Sequence, residues 1–73
     1  MPVYYRFDHD QPKTGQVVHC YTTLEGFRKF VLMMKQQDPE FLRMKFWEIN
    51  GQFVKPDEGD ALVRVISAKE IKI

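Results

Sequence analysis

The sequence predicts a two-layer α+β fold, in which one helix packs on a mostly antiparallel sheet of four or five strands. Three observations carry this prediction. Apolar residues recur at helical spacing in the middle of the chain, and β-branched and aromatic runs flank that segment on both sides. The 73 residues, of which 44% are hydrophobic, suffice for one small core. We therefore expect a single domain, residues 1–73, with the element order ββαββ(β).

Two short strands are predicted before the helix. The run Val3–Phe7 is aromatic and β-branched, and Gln16–Tyr21 has the same character. The segment between them contains Pro12, Gly15 and several polar residues, which is typical of a loop. We expect the two strands to pair as a hairpin with a long connection.

The helix is predicted to begin near Thr22 and to end at about Gln37. Thr22 and Glu25 have the spacing of a capping box, and Asp38-Pro39 disfavours further helix. Leu32 falls outside the apolar stripe, among charged and polar residues. The connector that follows is expected to tuck Phe41 and Leu42 under the end of the helix. The predicted stripe consists of Leu24, Phe27, Phe30, Val31 and Met34.

Asn50-Gly51 predicts a tight hairpin turn between two apolar runs, because a type I′ turn needs positive φ at both central residues. A two-residue turn places Trp47 opposite Val54 and Glu48 opposite Phe53. Successive strand residues point to opposite faces. One face then holds Trp47, Ile49 and Val54, and the other holds Met44, Phe46 and Phe53.

The C-terminal third is predicted to contain a central strand. Residues 56–60 are acidic and rich in turn formers, and Ala61–Ile66 is apolar except for Arg64. Such a run suits a strand that is covered on both faces. Ser67–Ile73 reads either as a short edge strand or as a helical turn.

Composition bounds the functional class. There are 11 basic and 10 acidic residues, giving a net charge of +1, so no broad attraction to nucleic acid or to an anionic membrane is expected. The single cysteine, Cys20, cannot form an internal disulfide, and the N-terminal residues do not resemble a signal peptide. These features predict a cytoplasmic protein that does not associate with membranes.

No motif for catalysis or for a cofactor is recognisable, so a non-enzymatic protein without a cofactor is expected. His19 and Cys20 are neighbours on a predicted strand and face opposite sides, which argues against a thiol–imidazole pair. Asp8, His9 and Asp10, with His19 across the predicted hairpin, have side chains that suit a divalent cation. The sequence leaves open whether these four bind a metal.

The favoured functional hypothesis is a non-catalytic protein-interaction module, either a homodimer or a binder of a protein partner. One helix covers only one face of the sheet, and the central hairpin carries apolar residues on both faces. A second docking surface is offered by Leu32 on the outside of the helix. The candidate interface residues are Met44, Phe46, Trp47, Phe53, Val54 and Leu32.

The alternative hypothesis is a small protein that binds single-stranded nucleic acid. Aromatic side chains on a sheet can stack on bases while Arg and Lys hold phosphates. The near-neutral charge weakens this alternative, because phosphate contacts dominate the affinity. The aromatic candidates are Tyr4, Tyr5, Phe46 and Trp47, with nearby Arg6, Arg43, Lys45, Lys55 and Arg64.

Overall fold

The computed structural model describes residues 3–58 and 60–73 and confirms the α+β fold with one helix on an antiparallel sheet. Met1, Pro2 and Gly59 lie outside the described residues, so the predicted loop at 56–60 is only partly described. No helix in the described part of the chain is long and apolar enough to cross a membrane. The elements are β1 (Val3–Asp8), β2 (Val17–Cys20), α1 (Leu24–Gln37), a 3₁₀ segment (Pro39–Arg43), β3 (Lys45–Asp57) and β4 (Asp60–Ile71).

The four strands form one antiparallel, curled sheet with the order β1-β3-β4-β2. The predicted hairpin between β1 and β2 is wrong, because β1 pairs with β3 and β2 pairs with β4. These two outer strands approach each other where the sheet curls. There Tyr5 and Tyr21 exchange backbone N–H···O bonds of 2.9 and 2.7 Å. The sheet therefore has an inner face, enclosed by the curl, and an outer face.

Both faces of the sheet are covered around Phe46 and Trp47. The helix packs on the outer face, where Phe27, Val31 and Phe46 are buried together with Phe41 of the 3₁₀ segment. Trp47 lies on the inner face, and each of Phe46 and Trp47 is only 6% exposed. The expectation that one of these faces stays uncovered is wrong, because the curl buries the second one. The inner cluster consists of Tyr4, Val18, Cys20, Trp47, Ile49, Ala61, Val63 and Val65.

Asn50-Gly51 does not form the predicted turn. β3 continues through both residues to Asp57, whose partner in the hairpin is Asp60. A register shift between Asn50 and Gly51 marks a bulge there, and Gly51 does not have a positive φ. A Cβ on Gly51 would collide with the side chain of Val63 and would lie 2.7 Å from the Arg64 carbonyl oxygen. Glycine is therefore needed because β4 approaches the backbone closely where β3 bends.

The strand register differs accordingly from the predicted one. Trp47 lies opposite Glu70, not opposite Val54, and Phe53 lies opposite Val63. Ser67–Ile71 neither forms an edge strand of its own nor a helical turn, because it continues β4 beside the first half of β3. The central position predicted for Ala61–Ile66 is confirmed by the strand order.

The helix ends where the sequence predicts, and it begins one residue later. Thr23, not Thr22, is the N-cap, and its hydroxyl accepts the Gly26 N–H at 3.1 Å. At the C-terminal end the N–H of Asp38 donates to the Met34 carbonyl. The Asp38 side chain also accepts the Glu40 N–H, so one residue ends α1 and begins the 3₁₀ segment.

Candidate protein-interaction surfaces

The six candidate interface residues divide into two groups. Phe46 and Trp47 belong to the core, and Met44 is half-buried against the cluster under the helix. Phe46 and Trp47 are therefore not accessible to a partner in this structure, and Met44 is accessible only in part. Phe53 and Leu32 are each 50% exposed, and Val54 is 42% exposed. The accessible candidates thus lie on two elements: Phe53 and Val54 on β3, and Leu32 on α1.

The outer edge of β4 is covered beyond its pairing with β2. The loop between β1 and β2 runs along this edge, and Val65 exchanges backbone bonds of 2.8 and 2.9 Å with Gly15 and Gln16. Gly15 has a φ of 89°, a conformation that glycine adopts without strain. The loop also reaches two further carbonyls, since the Thr14 hydroxyl donates to Ile66 and the Gln11 amide donates to Ala68.

The facing edges of β1 and β2 meet at one backbone bridge, between Tyr5 and Tyr21. Besides the Tyr5–Tyr21 bridge, the Arg6 guanidinium donates a 2.8 Å bond to the carbonyl oxygen of His19. The Trp47 indole N–H donates to the Asp8 carbonyl at 3.1 Å, which occupies the end of β1. These contacts occupy backbone groups of Tyr5, Asp8, His19 and Tyr21 along the seam.

The second half of β3 differs from the edges of β1, β2 and β4 described above. Within the described residues, the first half of β3 pairs with β1, from Lys45 opposite Asp8 to Asn50 opposite Val3. From Gly51 onward, β3 pairs only with β4 within the described residues. The five residues Gln52–Pro56 are all exposed, and we call them the β3 edge. Val54 has no partner in β4, because the register shifts between Phe53 and Lys55.

The exposed face of the helix borders two shallow depressions that share Leu24 and Arg28. Leu24, Arg28 and Leu32 follow one another at four-residue spacing, beside a depression of about 460 Å³. Leu24 and Arg28 also line a second depression of about 370 Å³. We call the two together the helix groove. Its remaining lining residues are Glu25 and Lys29 of α1, Tyr5 of β1, Glu48 of β3, Ile71 at the end of β4, and Lys72 and Ile73 after it.

Two of the four residues considered for metal binding, Asp8 and His19, make ordinary polar contacts through their side chains. Asp8 accepts the Asp10 N–H through one carboxylate oxygen and lies 3.3 Å from the Arg6 guanidinium through the other. His19 Nε2 lies 3.6 Å from the Asp60 carboxylate. Within the described residues, no three His, Cys, Asp or Glu side chains are grouped as a metal site would require.

Cys20 lies in the inner cluster and is completely buried. Burial raises the pKa of its thiol to about 11, although the Arg6 charge acts in the opposite direction. The thiol is therefore protonated at neutral pH and is a poor nucleophile. His19 lies beside Asp60 and packs edge-on against Tyr21, with ring centroids 5.4 Å apart. This arrangement does not activate a nucleophile.

The aromatic residues considered for nucleic-acid stacking are mostly interior. Tyr4, Phe46 and Trp47 are buried, and Tyr5 is half-buried and stacked on Phe27 with ring centroids 6.0 Å apart. Base stacking needs an accessible ring face. The sheet does not present these four rings as a stacking surface.

Sequence reasoning missed most of both exposed surfaces. The β3 edge depends on which part of β3 lies beside β1, which has no local sequence signal. The helix groove had one: Arg28 and Leu32 follow Leu24, a member of the predicted stripe, at a four-residue period. No protein-family model, curated protein or solved structure matches this chain. The proposals below are therefore argued from geometry and chemistry.

Proposed function

We propose that this chain is a non-catalytic protein-interaction module that pairs the β3 edge with an extended strand of another polypeptide, in the first place a second copy of itself. The observation that carries the proposal is the contrast between the edges of the sheet. Loop atoms cover the edge of β4, and β1 and β2 meet each other, whereas Gln52–Pro56 is exposed. An unpaired strand edge is a template for strand addition.

The side chains of the β3 edge suit a short and specific pairing. Phe53 and Val54 supply exposed aromatic and β-branched surface, which packs well between strands. Lys55, Pro56 and the irregular register at Val54 limit the length of the pairing, as such features do on natural edge strands. The combination favours one bound strand over open-ended aggregation.

A second copy is the simplest partner of this kind. Two antiparallel β3 edges related by a two-fold axis present the same surface to each other, and isologous dimers are the commonest soluble oligomers. The pairing is confined to the second half of β3, because β1 occupies the first half up to Asn50. A dimer built in this way extends the sheet without disturbing either core.

Sedimentation velocity at micromolar concentration tests the proposal. We expect the wild-type chain to form dimers and Val54→Lys to be monomeric with an unchanged circular dichroism spectrum. Val17→Lys is the matched control, since Val17 on β2 is exposed to the same 42% and should not affect the dimer. A wild-type monomer, or equal loss of the dimer in both variants, would refute self-association through this edge.

A panel of extended peptides tests whether the β3 edge pairs with a strand of a different protein. Binding that Val54→Lys abolishes and Val17→Lys retains would support strand addition without a dimer.

Single-stranded RNA serves as the probe for the alternative function, the binding of single-stranded nucleic acid. Quenching of Trp47 fluorescence by RNA, in the absence of peptide binding, would favour that alternative over our proposal.

A further inference from the structure

The helix groove differs from the β3 edge because it is lined by apolar and charged residues of several elements. Its aliphatic residues are Leu24 and Leu32 from the helix, Ile71 at the end of β4, and Ile73 just after β4. Leu24 and Leu32 are exposed to 42% and 50%, so the helix contributes apolar surface outside the core. Exposed apolar surface that is bordered by charges is typical of a docking site.

The charges in the groove are unequally compensated. Lys29 and Glu25 form an ion pair of 3.3 Å on the helix surface. Glu48, which also lines the groove, forms no ion pair within the described residues. In that part of the chain, Arg28 and Lys72 likewise form no ion pair. The groove is lined by three basic side chains (Arg28, Lys29 and Lys72) and two acidic ones (Glu25 and Glu48), so it carries a net side-chain charge of +1 beside apolar side chains.

Arg28 occupies the middle of the apolar row. It lies four residues from Leu24 and four from Leu32, about 6 Å along the axis in each direction at the rise of an α-helix. A carboxylate that binds this guanidinium is then flanked on both sides by leucine contacts. An amphipathic helix offers apolar and acidic side chains at the same three- to four-residue spacing.

We propose that the helix groove binds an acidic amphipathic segment of a partner protein. A Glu or Asp side chain of the segment pairs with Arg28, and apolar side chains on either side contact Leu24 and Leu32. Lys72, which lines the second depression, provides a second positive charge. Arg suits this role because its planar guanidinium can bind a carboxylate through two hydrogen bonds. The proposal is independent of strand addition at the β3 edge.

The probe is a fluorescein-labelled synthetic peptide of about 15 residues, or about four helical turns, with leucine at every third or fourth position and glutamate elsewhere. A second peptide carries lysine at every glutamate position. We expect the glutamate peptide to bind and to shift the amide NMR signals of residues 24–32 and 71–73. The lysine peptide should not bind, and added salt should weaken the complex.

Arg28→Glu should weaken binding of the glutamate peptide at least about tenfold, since it replaces attraction by repulsion at the centre of the groove. Lys13→Glu is the matched control, because it changes the net charge equally at an exposed position of the loop between β1 and β2. The melting temperature of each variant checks that folding is intact. Val54→Lys should leave peptide binding unchanged.

Several results would overturn the proposal. The first is the absence of binding at about millimolar peptide, the weakest affinity of interest. The others are equal binding of the two peptides, equal weakening by Lys13→Glu and Arg28→Glu, and amide signal shifts confined to the β3 edge. Vesicles of anionic phospholipid test the other possible occupant of the groove, a lipid surface. Cosedimentation that Arg28→Glu abolishes, with no peptide binding, would identify a lipid surface and not an acidic segment as the occupant.

Discussion

Gly51→Ala tests the close approach of β4 to β3, which replaces the turn that Asn-Gly predicts. The new Cβ would collide with the Val63 side chain and would lie 2.7 Å from the Arg64 carbonyl oxygen. Overpacking of this kind costs about 1–3 kcal/mol, and the upper end applies because a backbone carbonyl cannot rotate away. Alanine recovers about 0.4–1 kcal/mol by restricting the unfolded chain. The expected net loss of unfolding free energy is about 2 kcal/mol.

Urea denaturation followed by Trp47 fluorescence measures this loss. Trp47 is buried in the inner cluster, so its emission reports whether the curled sheet is intact. For a chain of this size, with an m-value near 1 kcal/mol/M, the midpoint should fall by about 2 M urea. Gln52→Ala, at the next and exposed position, is the control and should change the stability by no more than about 0.5 kcal/mol.

A double-mutant cycle locates the clash. Val63→Ala removes one of the two obstacles, so the combined variant should be more stable than the sum of the single changes predicts, by at least about 0.5 kcal/mol. Additive effects, or a Gly51→Ala variant as stable as wild type, would refute the reasoning. Either result would mean that β4 does not pack against Gly51.

Three further expectations concern the core, the helix and the thiol. Phe46→Ala should cost about 3–5 kcal/mol of unfolding free energy, whereas Leu42→Ala, at a position that is 68% exposed, should change the urea midpoint little. Thr23→Ala should cost about 1 kcal/mol by removing the N-cap, and Thr22→Ala much less, in thermal unfolding. The pKa of Cys20 is raised in the folded state from 9.0 to about 11, so between these pH values the unfolded chain binds fewer protons and stability falls as pH rises. Comparison with Cys20→Ala, which should lack this part of the decline, measures the contribution of the thiol.

The parts of the fold that local sequence controls could be predicted. The stripe in the helix and the Asp38-Pro39 stop fix α1 almost to the residue, because both act through neighbours in the chain. The continuous apolar run in β4 correctly indicates a central strand. The predicted N-cap, Thr22, lies one residue before the observed N-cap, Thr23. The two adjacent hydroxyls offer the backbone nearly equivalent hydrogen-bond partners.

The parts that depend on distant contacts could not be predicted. Asn50-Gly51 satisfies every local requirement of a turn, but the approach of β4 gives the glycine a different role. Which strand lies beside β1 is decided by residues far along the sequence. The assignment of Phe46 and Trp47 to opposite faces was right, whereas their exposure depended on how the sheet curls. The β3 edge is a product of the same long-range pairing.

The strand order has a consequence for how this chain acquires its structure. β1 and β2 are made first, yet each finds its main partner only in the half of the chain that follows the helix. An emerging chain that has not reached β3 and β4 lacks the inner cluster and has no sheet on which the helix can pack. Pairing between distant segments slows folding, because the chain loses conformational entropy before it gains the contacts that offset this loss. Folding should therefore await the synthesis of β4, leaving the aromatic N-terminal strands available to chaperones until then.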